Sequence, residues 1–154
     1  MLDDPAATDM VTDPSKIWWD IRPSARHPMI DIRICDVYTW YEDGLAIANL
    51  FQSILTCLSH FSQKNERRRH YRKILLLESK WRVKRSGVES HLGDYVRRAS
   101  LPFAVLICEL IEILRPYAEQ LGSVAEVEHA RAMASRGTHT DHQLKVYRQA
   151  LESD

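Results

Sequence analysis

The first clear pattern along the chain is an alternation. Met29, Asp31, Arg33 and Cys35 fall on one face and Ile30, Ile32, Ile34 and Asp36 on the other, the period-two signature of a strand over residues 29–36. An aromatic and β-branched run, IWWDIR at residues 17–22, precedes it. Pro23 and Pro28 punctuate a loop between the two, so a strand pair, or two strands of a larger sheet, comes first. Beyond Thr39 the period changes. Ile47, Leu50, Ile54, Leu58 and Phe61 recur at spacings of three and four, which predicts an amphipathic helix over residues 42–61.

The helical period then continues. A second helix is expected over residues 66–85, with Ile74, Leu75, Leu77 and Trp81 set among basic residues, and an irregular link bracketed by Gly87 and Gly93. A third runs over residues 101–121, with Ser100 as its N-cap and Pro102 in its first turn; Pro116 is expected to kink or divide it. Ser123 with Glu126 has the capping-box form and opens a helix to residue 135, and residues 138–151 make the last. Residues 1–15, with Pro5 and Pro14 and no periodicity, read as a flexible lead-in to a domain over residues 16–154. The expected class is α+β, one or two N-terminal antiparallel strands followed by about five helices. Two strands alone are marginal, and unpaired edges invite further strands or a partner chain.

Length and composition narrow the function classes. The 154 residues allow one core. The 21 basic residues cancel the 21 acidic ones, which argues against a wholly basic nucleic-acid binder. That zero conceals segregation: residues 1–63 carry a net −5, residues 64–98 a net +8 from 12 basic and 4 acidic residues, and residues 99–154 a net −3. Three widely spaced cysteines, Cys35, Cys57 and Cys108, point to reduced thiols rather than a disulfide framework. The acidic N-terminus is unlike a signal peptide, and the apolar stretch at residues 101–114 is short of the ~20 residues needed to span a bilayer. A soluble, cytoplasmic protein without a membrane partner is expected, and the balanced charge disfavours nucleic acid as a partner.

Two constellations carry candidate chemistry. Asp31 and Arg33, two apart on a strand, project a carboxylate and a guanidinium into one space. A carboxylate there suits Mg²⁺ and its phosphate partners, and the guanidinium suits a phosphate or a carboxylate; an intrasheet ion pair is the alternative. Lys80, Trp81, Arg82, Lys84 and Arg85 crowd one helix, Arg82 facing partly away from Trp81, Lys84 and Arg85. They suit a polyphosphate or form a solvated face, with nucleic acid as the remaining reading of a basic run. The single Glu-x-x-His at Glu126–His129 and the pair His139 and His142 are too few for a metal centre. There is no glycine-rich phosphate loop, HExxH or nucleophile elbow.

The string WWDIRPSARHPMIDIRICD at residues 18–36 resembles the WD-I-RPS…TxExRxxD signature of the bacterial carboxylate–amine ligases of the type 2 glutamate–cysteine ligase family. ESKWRVKRSG at residues 78–87 is similar to the family's E-N-[KR]-W-R-A-x-R-x-G segment. Leu121-Gly122, and Gly137-Thr138 with Asp141 to Leu144, resemble its C-terminal helices. The three blocks occur in order and cover the chain from Ile17 onward, as the C-terminal portion of such a protein.

The resemblance implies a glutamine-synthetase-like fold, with ATP and Mg²⁺ carried on a curved sheet and helices packed behind. It implies activation of a carboxylate as an acyl phosphate, from which an amine displaces phosphate, glutamate and cysteine being the substrates. Asp31 then stands at the metal ligand's position, and Arg33 and Arg22 are the catalytic cations that hold phosphate or carboxylate. Lys80, Arg82 and Arg85 face ATP, whose transferring phosphoryl gathers negative charge. Met29 and Asp31 replace the family Thr and Glu. Because the family's N-terminal half supplies the other metal ligands, the chain is expected to be inactive alone and to need a separately encoded N-terminal half or a full-length ligase. The alternative is a non-catalytic remnant or interaction module that pairs through its strand edges with a ligase subunit or with itself.

Overall fold

Arg22 and Asp31 lie directly opposite one another in the computed structural model, as Cα partners across two antiparallel strands, β1 (Ile21–Pro23) and β2 (Ile30–Ile32). The structure describes residues 20–24, 27–35, 38–66 and 69–152, so the lead-in at residues 1–15 and the first half of the expected first strand lie outside it. The chain divides into two units, Met1–Val37 and Tyr38–Asp154.

In the first unit the Arg33 amide donates to the Asp20 carbonyl at 2.8 Å and extends the ladder by one step. The loop between the strands is closed by the Ser24 amide on the Met29 carbonyl at 2.9 Å. The alternation is therefore real, but the ladder is shorter than residues 17–22 and 29–36. Among the described residues β1 and β2 form a two-stranded sheet.

The second unit is built on three mutually packed helices, α1 (Tyr41–Gln63), α3 (Phe103–Leu121) and α4 (Val124–Arg136), with α2 (Lys73–Ser86) between the first two in sequence. Helix α1 buries Asp43, Ala46, Ser53 and Cys57. The core joins Ile111 and Ala118 of α3 to Val127 and Ala130 of α4, with Leu50, Ile107 and Val124 packed against them. Three alanines, Ala118, Ala130 and Ala134, are almost fully buried, which lets the helix backbones approach closely. By length and mean hydropathy (1.3) α1 could cross a membrane, and 17% of its apolar window is buried; the helix packs against α3 and α4.

Several expectations need correction. Residues 66 and 69–72 are not helical, and α2 begins only at Lys73. Strands do occur beyond Thr39: β3 (His91–Asp94) and β4 (Ala99–Pro102) pair antiparallel around the turn at residues 95–98. Asp94 Oδ1 closes that turn by accepting the amides of Val96 and Arg97 at 2.9 and 3.0 Å. HLGD and ASLP contain no β-branched residue, which is why the period-two signal is silent there. Ser100 is consequently a strand residue rather than an N-cap, and α3 starts at Phe103. Helix α3 also runs through Pro116 undivided.

The Ser123 hydroxyl caps nothing. Its amide is taken by the Ala118 carbonyl at 2.9 Å in closing α3, so the reciprocal bond that Glu126 would need is unavailable. The last helix, α5 (His139–Glu152), is capped differently. Asp141 Oδ2 accepts both the amide and the hydroxyl of Thr138 at 2.7 Å.

Helix α2 is tied down through Tyr95. The Tyr95 hydroxyl donates to the Leu75 carbonyl at 2.9 Å and lies 3.3 Å from the Ser79 hydroxyl. A Cβ on Gly93 would meet the Tyr95 ring at 3.0 Å, so the absent side chain is what admits the ring. A short 3-10 turn, Gly87–Glu89, links α2 to β3.

Candidate functional site

In the first unit the strand register brings three predicted site residues together. Arg22, buried, donates from Nη2 to Asp31 Oδ2 at 2.8 Å, and Arg33 Nη2 lies 3.8 Å from the same oxygen. The cross-strand pairing puts Arg22 and Asp31 on one face, and the two-residue period adds Arg33. One carboxylate thus lies between two guanidiniums, with Arg33 the more exposed cation. This arrangement favours an anion over a cation at the cluster.

The three cations expected to face ATP lie on α2 and do not share one pocket. Arg82 Nε donates to Glu78 Oε1 at 2.8 Å and lines a pocket of about 360 Å³ with Tyr95 and Arg98. Arg85 sits 5.6 Å from the centre of the Trp81 ring and lines a much larger open groove of about 1030 Å³. Lys80 is half-buried and lines neither.

The groove runs between the end of α2 with its 3-10 turn and the junction of α4 with α5. Lys84, Arg85, Lys145 and Arg148 line it, as does Arg136, against the carboxylates of Glu89, Asp141 and Glu152. Among the residues that line it, Asp141 sits between two glycines. A Cβ on Gly137, whose φ is +89°, would lie 3.1 Å from Asp141 Oδ2, and one on Gly87 3.8 Å from Oδ1. Two sequence blocks some fifty residues apart, the one ending at Gly87 and the one starting at Gly137, therefore close on a single carboxylate that also starts α5.

Asp43 was not singled out in the sequence. It is 2% exposed, lies 2.8 Å from His129 Nε2 and accepts a bond from Arg136. Arg136 in turn lies over Trp40 at 4.7 Å, and Trp40 meets His139 and His142 at 5.3 and 5.7 Å. The signal was present: Asp43 precedes Ile47 by four residues and so occupies the apolar stripe of α1. An acid placed there needs partners from other elements. His129 thus serves a buried carboxylate, and α4 is pinned to α1.

A second network lies on the surface of α3 and α4. Arg115 bonds Glu112 and Glu128, and Arg131 bonds the same two carboxylates. The bonds from Arg115, then Arg131, hold the Glu112 carboxyl below the ordinary glutamate range. The Asp94 carboxyl is lowered by the amide of Arg97 that closes the hairpin turn.

For Mg²⁺ the fit is poor. Among the described residues no group of three or more His, Cys, Asp or Glu is placed to hold a metal ion, and Asp31 already accepts from Arg22. For a polyphosphate the fit is better, because Lys84, Arg85, Lys145 and Arg148 converge on one groove.

Comparison with known proteins agrees with the motif blocks. The family model described as glutamate–cysteine ligase family 2 (GCS2) matches residues 1–153. A protein of Rhodospirillum rubrum is 43% identical over 141 residues, which is 92% of this chain and 36% of that protein. One from Jannaschia sp. is 42% identical over 140 residues (91% and 37%), and one from Ruegeria pomeroyi 37% over 142 (92% and 37%). All three are provisionally named glutamate–cysteine ligase 2. The chain spans little more than a third of these relatives' length, in agreement with the expected C-terminal portion.

Proposed function

The chain belongs to glutamate–cysteine ligase family 2, and from that premise we propose that it is the C-terminal portion of an ATP-dependent carboxylate–amine ligase. In this reading it acts together with the remaining segment of such a protein and is inactive alone. The observation that carries it is the family match over residues 1–153. Two features of the structure support it: the meeting of the Gly87 and Gly137 blocks around Asp141, and the cationic groove above them.

Bound ATP would supply the phosphoryl group that makes a carboxylate reactive toward an amine. This chain's share of the work is electrostatic. Lys84, Arg85, Lys145 and Arg148 hold phosphate charge along the groove, and Arg33 orients an anionic group beside Asp31. Fixed cations of this kind stabilise charge that grows in a phosphoryl transition state. Mg²⁺ is assigned to ligands outside the described residues, because Asp31 is engaged by Arg22. Glutamate and cysteine are the substrates that the family implies.

ADP release tests the reading. The chain is purified alone and also together with the stretch of the Rhodospirillum rubrum relative outside the matched region, with glutamate, cysteine, ATP and Mg²⁺ supplied. Turnover is expected only from the pair and only with both substrates, and Arg33→Ala and Arg85→Ala should each lower it by roughly a hundredfold. A stable pair with no ADP release sinks the ligase reading. It would favour a second one, a non-catalytic interaction module, for which the ion-paired state of Asp31 speaks.

A further inference from the structure

Helix α2 is apolar on two sides. Leu75 and Val83 are half-buried on the side that also carries Ser79, which meets Tyr95. On the opposite side Ile74, Leu77 and Trp81 follow one another at spacings of three and four and are 66%, 48% and 55% exposed. No residue of α2 is fully buried. A helix apolar on both sides is suited to being covered on both, and among the described residues of this unit one side has no cover.

The surroundings of the open side restrict what can cover it. Lys84 and Arg85 flank Trp81, and residues 64–98 as a whole hold 12 basic and 4 acidic residues. A second copy would set this positive surface against itself, which is repulsive. A lipid surface suits an unbroken apolar face, whereas Glu78 and Arg85 interrupt this one and make the polar rim of a protein interface. The relatives continue well beyond the match, since this chain spans only 36% to 37% of them.

We propose that the Ile74–Leu77–Trp81 face of α2 is the seat of the remaining family segment, a polypeptide that offers an apolar patch rimmed by carboxylates. The inference rests on the reading that this chain works together with such a segment. It replaces strand edges with a helix face as the principal docking surface.

The experiment mixes the full 154-residue chain with the unmatched stretch of the Rhodospirillum rubrum relative. Stoichiometry is read by light scattering after gel filtration and affinity by calorimetry. A one-to-one complex is expected, weakened by added salt. Leu77→Asp and Trp81→Asp should each raise its Kd at least tenfold, with the circular dichroism of the free chain unchanged because both positions are exposed. Leu58→Asp on α1, also exposed, controls for an added charge and should leave Kd unchanged.

Absence of a complex overturns the proposal, as does a complex indifferent to the α2 variants or equally weakened by Leu58→Asp. So does a homodimer of the free chain, or binding to phosphatidylserine vesicles, that the same α2 variants abolish. ADP release measured in the same mixtures separates the two readings. A complex lost with the α2 variants but without turnover keeps the docking surface and removes the ligase. Turnover that survives the α2 variants does the reverse.

Discussion

Helices α3 and α2 are both rich in large apolar residues, yet they use them in opposite ways. In α3, Ile111, Leu114 and Ala118 are each 1% exposed and meet α1 and α4. In α2, Ile74, Leu77 and Trp81 stand about half exposed or more, and α5 repeats the arrangement with Leu144, Tyr147 and Leu151 between 45% and 61% exposed. Neither α2 nor α5 contributes a buried residue. Stability is therefore concentrated in the α1–α3–α4 bundle, while α2 and α5 carry the groove and the open apolar faces. Apolar surface left uncovered at this scale marks an interaction site.

The strongest way to break that contrast is to empty the bundle. Ile111→Ala should cost about 2–5 kcal/mol through lost burial and the cavity left behind, measured by urea unfolding followed by circular dichroism. Asp43→Ala comes next, at about 1–3 kcal/mol. It strands His129 and Arg136, whose partial exposure to solvent softens the loss. Gly137→Ala should cost about 1 kcal/mol, because φ is +89° and a Cβ would press on Asp141. Its readout is a loss of α5 helicity with the bundle intact.

Trp81→Ala and Tyr147→Ala should each change the stability of the free chain by less than about 0.5 kcal/mol. A cost near that of Ile111→Ala would erase the contrast.

The smallest effect concerns acid. The Glu112 carboxyl is lowered from its ordinary value of 4.5 by Arg115 and Arg131. A depressed carboxylate contributes stability that is present above its ordinary value and is lost as pH falls through its lower folded value. Glu112→Gln should therefore lessen the slope of stability against pH below about 4.5 and leave the slope at neutral pH unchanged. Both are read from urea midpoints across pH. The difference should shrink in high salt, since the group lies at the surface.

Much of this was legible along the chain. The stripe from Ile47 to Phe61 located α1 to within two residues at each end, and the alternation around Asp31 set Arg33 beside it. Where the reading failed, the deciding bonds came from elsewhere. Asp94 turns β3 into β4, so that Ser100 belongs to a strand; the Ala118 carbonyl takes the Ser123 amide and cancels a capping box; and residues 69–72 are not helical despite their place in a charged helical run.

The sequence by itself determined the family, the helical periods and the crowding of cations between residues 64 and 98, because these depend on residue type and local spacing. Only the tertiary structure decided which of those residues meet. It gave Arg85 and Arg82 different pockets, put Asp141 between Gly87 and Gly137, and supplied buried Asp43 with partners 86 and 93 residues away. Such contacts depend on how helices stack in three dimensions, and no local period encodes which face of a two-sided helix finds its cover.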